Sequence, residues 1–273
     1  MPPHQPPTVQ DNSEMSDVET PEQSDSGTPD LAHADVGIVT ALPIELNPFI
    51  GQLEKRRSYT GGKYKFIGGT YDDKVKVVIV QQAVGFAKAR AATQALIEAH
   101  SPNWVLSAGY SGALQPDMGI GDIVVGNSIC DQHGHSIKID MNMEANDKTG
   151  LRVGRLLTAD DLVLKADEKK QLGIKHDALA VDLESMAVAQ VCKEMQTRFM
   201  AIRTLSDDMS EDLPDEILSL MGETGTMRVG AVVGAIWNRA SSMKDMWHLR
   251  EKAMHSSRRL AAFLNMLLPR LVE

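Results

Sequence analysis

Two stretches of the chain place carboxylates where an apolar run ends. The first, Ala180-Val181-Asp182-Leu183-Glu184-Ser185, carries an Asp-x-Glu, and side chains two apart in an extended segment share one side. The second leads from Phe199-Met200-Ala201-Ile202 through Arg203-Thr204-Leu205 to Ser206-Asp207-Asp208. A third acid, Glu45, follows the apolar run Val36-Gly37-Ile38-Val39-Thr40-Ala41-Leu42 and Pro43. Ligands of parallel α/β sheets sit beyond the carboxyl ends of the strands. Acids placed there are candidates to bind hydroxyls or to carry protons.

The elements that must position these acids can be read from apolar pattern. Residues 36–42 are nearly continuous apolar sequence, the mark of a strand buried on both faces. Weaker strand pattern covers Tyr64–Ile67, and stronger pattern covers Lys74–Gln81. Val84-Gly85-Phe86 then opens a small-residue helix over Ala87–Ala99, with Gly85 either leaving room for a ligand or simply making the turn. Trp104–Ala108 reads as a buried strand, followed by a Gly109-Tyr110-Ser111-Gly112-Ala113 loop whose N–H groups and hydroxyl could form a polar cradle. Further strands are expected at Gly119–Val125, Gly154–Leu157, 178–183 and 198–205, and helices at 160–172 and Glu184–Met195. Thr158-Ala159-Asp160-Asp161 has the composition of a helix N-terminus. After Pro214 the pattern is helical: 228–239 is small and apolar, and 241–268 is amphipathic with a basic polar face. That last helix either covers the core or a subunit interface, or adsorbs to a membrane or apolar substrate. The order implies one α/β domain with a central mixed β-sheet flanked by helices.

Charge is unevenly distributed. Residues 1–34 hold seven acids and no Lys or Arg, so of the net −9 the remaining chain carries −9 + 7 = −2. This acidic segment, rich in Pro, Ser and Thr, lacks the apolar residues to offset chain entropy and is expected to be disordered. The domain is expected over 35–273, with a helical extension from about 228. A near-neutral domain argues against nucleic acid as a partner. The two cysteines, Cys130 and Cys192, form neither a disulfide framework nor a metal cluster, and His133-Gly134-His135 lacks a nearby third ligand. No metal or cofactor is expected. With no secretory core or long apolar run, the chain reads as cytoplasmic.

Several segments occur in an order that resembles a known superfamily. They are Gly-Ile-Val-Thr-Ala-Leu-x-x-Glu (37–45), Val-Gly-Phe-Ala-Lys-Ala (84–89), Ala-Gly-Tyr-Ser-Gly-Ala-Leu (108–114), Gly-Asp-Ile-Val-Val (121–125), Val-Asp-Leu-Glu-Ser-x-Ala (181–187) and Arg-Thr-Leu-Ser-Asp (203–207). Together they resemble the nucleoside phosphorylase/nucleosidase superfamily, and within it are most similar to 5′-methylthioadenosine/S-adenosylhomocysteine nucleosidases. The resemblance implies a homodimer that cleaves a ribosyl C1′–N9 bond through an oxocarbenium-like transition state, with a nucleoside as its small-molecule partner. It assigns Asp207 to the purine N7 as acid and Glu45 to the attacking water. Glu184 falls where a carboxylate binds the ribose hydroxyls. Leu183, Ser206, Leu162, Val163, Ala108 and Gly109 fall among substrate-binding positions.

The chain departs from the family pattern in three places. Asp182 replaces a glutamate, Tyr110 occupies a position that is usually small, and Leu162 replaces an aromatic residue. The region after 228 is similar to the hopanoid-associated branch, which releases adenine from an adenosyl-lipid. Phosphorolysis would need cations near the sugar. None lies in 37–45 or 106–114, while Arg90 and Arg203 sit on a helix and a strand. Hydrolysis is therefore the expected reaction, with phosphorolysis as the alternative. A nucleoside-binding regulator would not need Glu45, Glu184 and Asp207 together.

Overall fold

The structure is a computed structural model that describes residues 33–82, 84–213 and 243–273. The expected acidic segment and the apolar stretch 228–239 lie outside the described residues. The strands are β1 (Val36–Thr40), β2 (Glu54–Gly61), β3 (Tyr64–Tyr71), β4 (Val75–Gln81), β5 (Trp104–Ala113), β6 (Ile123–Asp131), β7 (Ser136–Lys138), β8 (Leu151–Thr158), β9 (Ala180–Asp182) and β10 (Arg198–Asp207). The described helices are α1 (Pro43–Ile50), α2 (Phe86–His100), α3 (Ala166–His176), α4 (Ser185–Glu194) and α5 (Met243–Val272).

All ten described strands join one mixed sheet. β1 lies at its centre, parallel to β4 on one side and β5 on the other. Each β1 residue is buried, as the apolar run demands. β5 pairs with both β10 and β9. β10 continues to β6, β6 to β8, and β8 to β9. Five strands thus close into a ring, and β1, β4, β3 and β2 extend from it as an open sheet.

Alternation along the strands feeds two helical layers. Val36 and Ile38 join Leu46 and Phe49 of α1 and Leu260, Phe263, Leu264 and Leu267 of α5. Val39 faces the opposite layer, with Ala89, Ala92 and Leu96 of α2 and Val188 and Val191 of α4. α2 approaches the sheet closely where β1 lacks a side chain: a Cβ on Gly37 would lie 2.8 Å from Leu96 Cδ2. α5 therefore covers the core with its apolar face. No described helix is long and apolar enough to cross a membrane.

Three expectations about elements need correction. Gly109–Ala113 is not a loop but the second half of β5, held by β10 on one edge and β9 on the other. The helix expected from Asp160 begins at Ala166, whose N–H is capped by Asp212 Oδ1 at 2.9 Å. Thr158 is unavailable as a cap because its hydroxyl donates to Asp182 Oδ1 at 2.9 Å. Finally, β2 went unread because its residues are polar and largely exposed, leaving no apolar pattern.

Candidate active site

The ends of β1, β5, β9 and β10 surround a cavity of about 230 Å³. Its wall includes Glu45, Glu184 and Asp207, brought from three distant parts of the chain.

Glu45 stands in the first turn of α1 and is 3% exposed. Its Oε2 accepts from the Thr40 hydroxyl (2.7 Å) and the Ala41 and Leu42 amides (3.0 and 2.8 Å). Leu42 has no side-chain acceptor for the helix start, so the Glu45 carboxylate satisfies the free backbone donors instead. Among the described residues Oε1 accepts a single bond, from Tyr110 N at 2.9 Å. It retains capacity for a water. β5 can come this close only without a side chain: a Cβ on Gly109 would lie 2.7 Å from Glu45 Oε1 and 2.8 Å from Arg203 Nη1.

Glu184 follows β9 and accepts from Gly85 N at 3.0 Å through Oε1. Gly85 has φ +120°, a conformation that glycine adopts readily, and the turn thereby aims its amide at the acid. Burial pushes Glu184 up to about 7, against the pull of Arg203. Its neighbour Asp182 faces the same cation. Arg203 Nε lies 2.8 Å from Asp182 Oδ2, and Nη2 lies 3.9 Å from Glu184 Oε2. Ser107 and Ser185 hydroxyls accept further bonds from the guanidinium. Burial alone would lower Arg203, but Asp182, Glu184 and Glu45 outweigh it and raise its pKa.

Asp207 is aimed by a bulge. Leu205 pairs with Ser111 and Asp207 with Gly112, leaving Ser206 as the extra residue. Such an insertion bends the strand and redirects its side chains. Ser206 Oγ donates to Asp207 Oδ1 at 2.8 Å, and Lys169 Nζ reaches Oδ2 at 2.5 Å. Gly112 is required opposite, since a Cβ there would lie 2.8 Å from Oδ2. Burial pushes the Asp207 carboxyl up, and Lys169 and Ser206 draw it part of the way back.

Of the residues singled out in the sequence, Glu45, Glu184, Asp207, Leu183, Ser206, Leu162 and Val163 lie around this cavity. Ala108 and Gly109 do not line it. Ala108 is fully buried in the core beside Leu106, and Gly109 lies behind Glu45 and Arg203. Ser111 lines the wall with its hydroxyl buried and without a protein partner among the described residues. Tyr110 also lines it. Its hydroxyl donates to Ala253 O (2.9 Å) and lies 2.6 Å from Ser257 Oγ, tying β5 to α5.

The sequence reading did not assign Arg203 or Lys169 to the site. A signal existed for each. Arg203 interrupts an apolar strand, and a charge buried there requires an acid. Lys169 lies three and four residues before the buried Leu172 and Gly173, and therefore on the same helix face. The histidines of the β6–β7 turn pair separately, His135 with Asp131 (2.6 Å) and His133 with Asp160 (3.0 Å).

This sheet has known counterparts. The family model of the phosphorylase superfamily matches residues 35–146 and 138–236, and the chain belongs to that superfamily. Among individual relatives, it is 25% identical over 226 residues to the 5′-methylthioadenosine/S-adenosylhomocysteine nucleosidase of Shewanella pealeana, covering 72% of this chain and 98% of that one. Its fold is similar to the Neisseria meningitidis enzyme of the same name in complex with methylthio-immucillin-A (TM-score 0.60, 16% identity, 84% and 96% of the two chains). The futalosine hydrolase of Helicobacter pylori shares that fold as well (TM-score 0.60, 18% identity, 85% and 97%).

Proposed function

We propose that the protein hydrolyses the N-ribosidic bond of a purine nucleoside, a 5′-substituted adenosine of the methylthioadenosine/S-adenosylhomocysteine type, and releases adenine. The protein is an N-glycosidase. The carrying observation is the convergence of Glu45, Glu184 and Asp207, each held by different partners, on one largely apolar cavity.

The roles follow from their settings. The purine is a poor leaving group unless protonated, and a buried carboxyl with a raised pKa is suited to supply that proton. Asp207 takes that role, oriented by Ser206. Glu184 receives the ribose hydroxyls beside the apolar wall of Leu183, Leu162 and Val163. As the C1′–N9 bond breaks, both electrons leave with the base. Glu45 Oε1 then accepts a proton from the water whose oxygen bonds to C1′. A carboxylate held by four protein donors needs little reorganisation for this step.

Charge balance supports hydrolysis over phosphorolysis. The described residues of the cavity wall include no Lys or Arg. The two cations behind it are already paired, Arg203 with Asp182 and Lys169 with Asp207. An incoming phosphate would face the carboxylates of Glu45, Glu184 and Asp207 on that wall.

The test is chromatography of purine release from methylthioadenosine, S-adenosylhomocysteine, adenosine and inosine in phosphate-free buffer. Adenine from the thio-nucleosides is expected, and Asp207→Asn is expected to lower the rate about 10²–10⁴-fold while still binding a nucleoside analogue. Release that starts only when phosphate is added would overturn the hydrolytic reading.

A further inference from the structure

Lys169 is the least expected charge in the molecule. It stands in the first half of α3, is fully buried, and its ammonium has two acceptors: Asp207 Oδ2 at 2.5 Å and Asp208 O at 3.0 Å. Taking an ammonium out of water is costly, and an aliphatic side chain would fill the same space at no such cost. The cation must be balanced by what it does for its partner.

We propose that Lys169 is a positioning residue that works through Asp207, holding the carboxyl in place and supplying the proton that it passes to the departing purine. This deepens the hydrolytic reading and rests on Asp207 being the acid. The proton path balances. Lys169 Nζ gives a proton to Asp207, and Asp207 gives it to the purine as the C1′–N9 electrons leave with the base. Asp207 ends as carboxylate and Lys169 as neutral amine. Water bonds to C1′ and loses its proton through Glu45 to solvent, and solvent reprotonates Lys169. One water is consumed, and no net proton is gained or lost.

The surrounding charges make Asp207 the direct partner. Three acids, Asp207, Asp208 and Asp212, feel Lys169. Asp212 is taken by Lys165, 3.4 Å away at the start of α3. The Asp208 carboxylate accepts from Ser210 N and Oγ and lies in the field of Lys252 on α5, which itself pairs with Glu211. Only Asp207, among these, meets the ammonium at hydrogen-bond distance through its carboxylate. A buried carboxyl without a cation would keep its proton to higher pH than a free one, but would still lose it far below the range of an ammonium.

The experiment measures kcat/KM for purine release from pH 5 to 10 in the unaltered enzyme, in Lys169→Met and in Lys169→Arg. Affinity for a non-hydrolysable adenosine analogue and melting temperature are measured alongside. In the unaltered enzyme, activity should persist to alkaline pH. In Lys169→Met the alkaline limb should move down by more than one pH unit, with a loss of at least tenfold at pH 8, a much smaller loss at pH 5, and analogue affinity changed less than threefold. Lys169→Arg keeps the charge but a guanidinium does not release its protons in this pH range, so its rate should fall at every pH with no such displacement. A Lys169→Met profile parallel to that of the unaltered enzyme would make the lysine merely structural and overturn the proposal. If Lys169→Met does not fold, an unaltered enzyme whose activity already collapses near pH 7, or a Lys169→Arg enzyme with full activity, overturns it equally. Absence of purine release from the unaltered enzyme would instead refute the hydrolytic reading itself, and with it the role given to Lys169.

Discussion

Burial pushes the Glu184 carboxyl up to about 7, so the acid that the sequence offers as a hydroxyl acceptor takes up its proton well above the usual carboxylate range. Below that pH the group is neutral, and binding that needs the carboxylate must first release a proton. Affinity for a nucleoside analogue should therefore fall about tenfold per pH unit below 7. Calorimetric titration at pH 5, 6, 7 and 8 measures it, and Glu184→Gln should bind more weakly with a flat profile. A flat profile in the unaltered protein would refute this role. Arg203 invites a different prediction. Replacing it with Met leaves Asp182 buried opposite an apolar side chain. Losing one partner of a buried pair costs about 3–5 kcal/mol, to be read as a lower urea midpoint. A loss under about 1 kcal/mol would mean that the Asp182 carboxyl simply takes up a proton. The sequence made Glu45, Glu184 and Asp207 visible because each ends an apolar run. Asp182 was visible as well, but its partner was not, since a local pattern cannot say which distant acid a cation meets.

α5 shows how an element can be half legible. Its amphipathic pattern is plain in the sequence, while the choice between core, subunit interface, membrane and substrate stays open there. Leu260, Leu264 and Leu268 are fully buried against α1 and the sheet, which settles where that face lies. Leu264→Ala should cost about 2–5 kcal/mol, measured by denaturant unfolding. A cost below about 1 kcal/mol would mean that α5 packs loosely on the sheet. The helix also reaches the site: Ser257 Oγ donates to Ile44 O at 2.7 Å beside Glu45 and touches the Tyr110 hydroxyl. The strand pattern of β5 stops at Ala108 in the sequence, because Gly109 and Gly112 are poor strand formers. They are tolerated because carboxylates press against both positions. A one-dimensional pattern counts such glycines as loop residues, although close packing is what requires them.

At the scale of the molecule, the sheet's closure decides accessibility. Cys130 and Cys192 are 7% and 1% exposed, and burial pushes the Cys192 thiol up to about 12 and that of Cys130 up as well. Thiolates, not thiols, react with disulfide reagents. The native protein should therefore leave both cysteines unmodified by a chromogenic disulfide at pH 8, and the unfolded chain should react at both. Rapid native reaction at either would mean that the layers over α4 or β6 open readily.

Local chemistry determined much on its own. Apolar runs imposed buried strands, because a two-residue or continuous apolar pattern has few other ways to leave water. The acids at their ends followed in register, and the order of the motifs pointed to the superfamily. The ring of β5, β10, β6, β8 and β9, the start of α3, and the pairing of Lys169 with Asp207 across 38 positions were decided only in three dimensions. Periodicity is a property of neighbours along the chain, whereas a buried charge is satisfied by whichever opposite charge the closed sheet brings within reach.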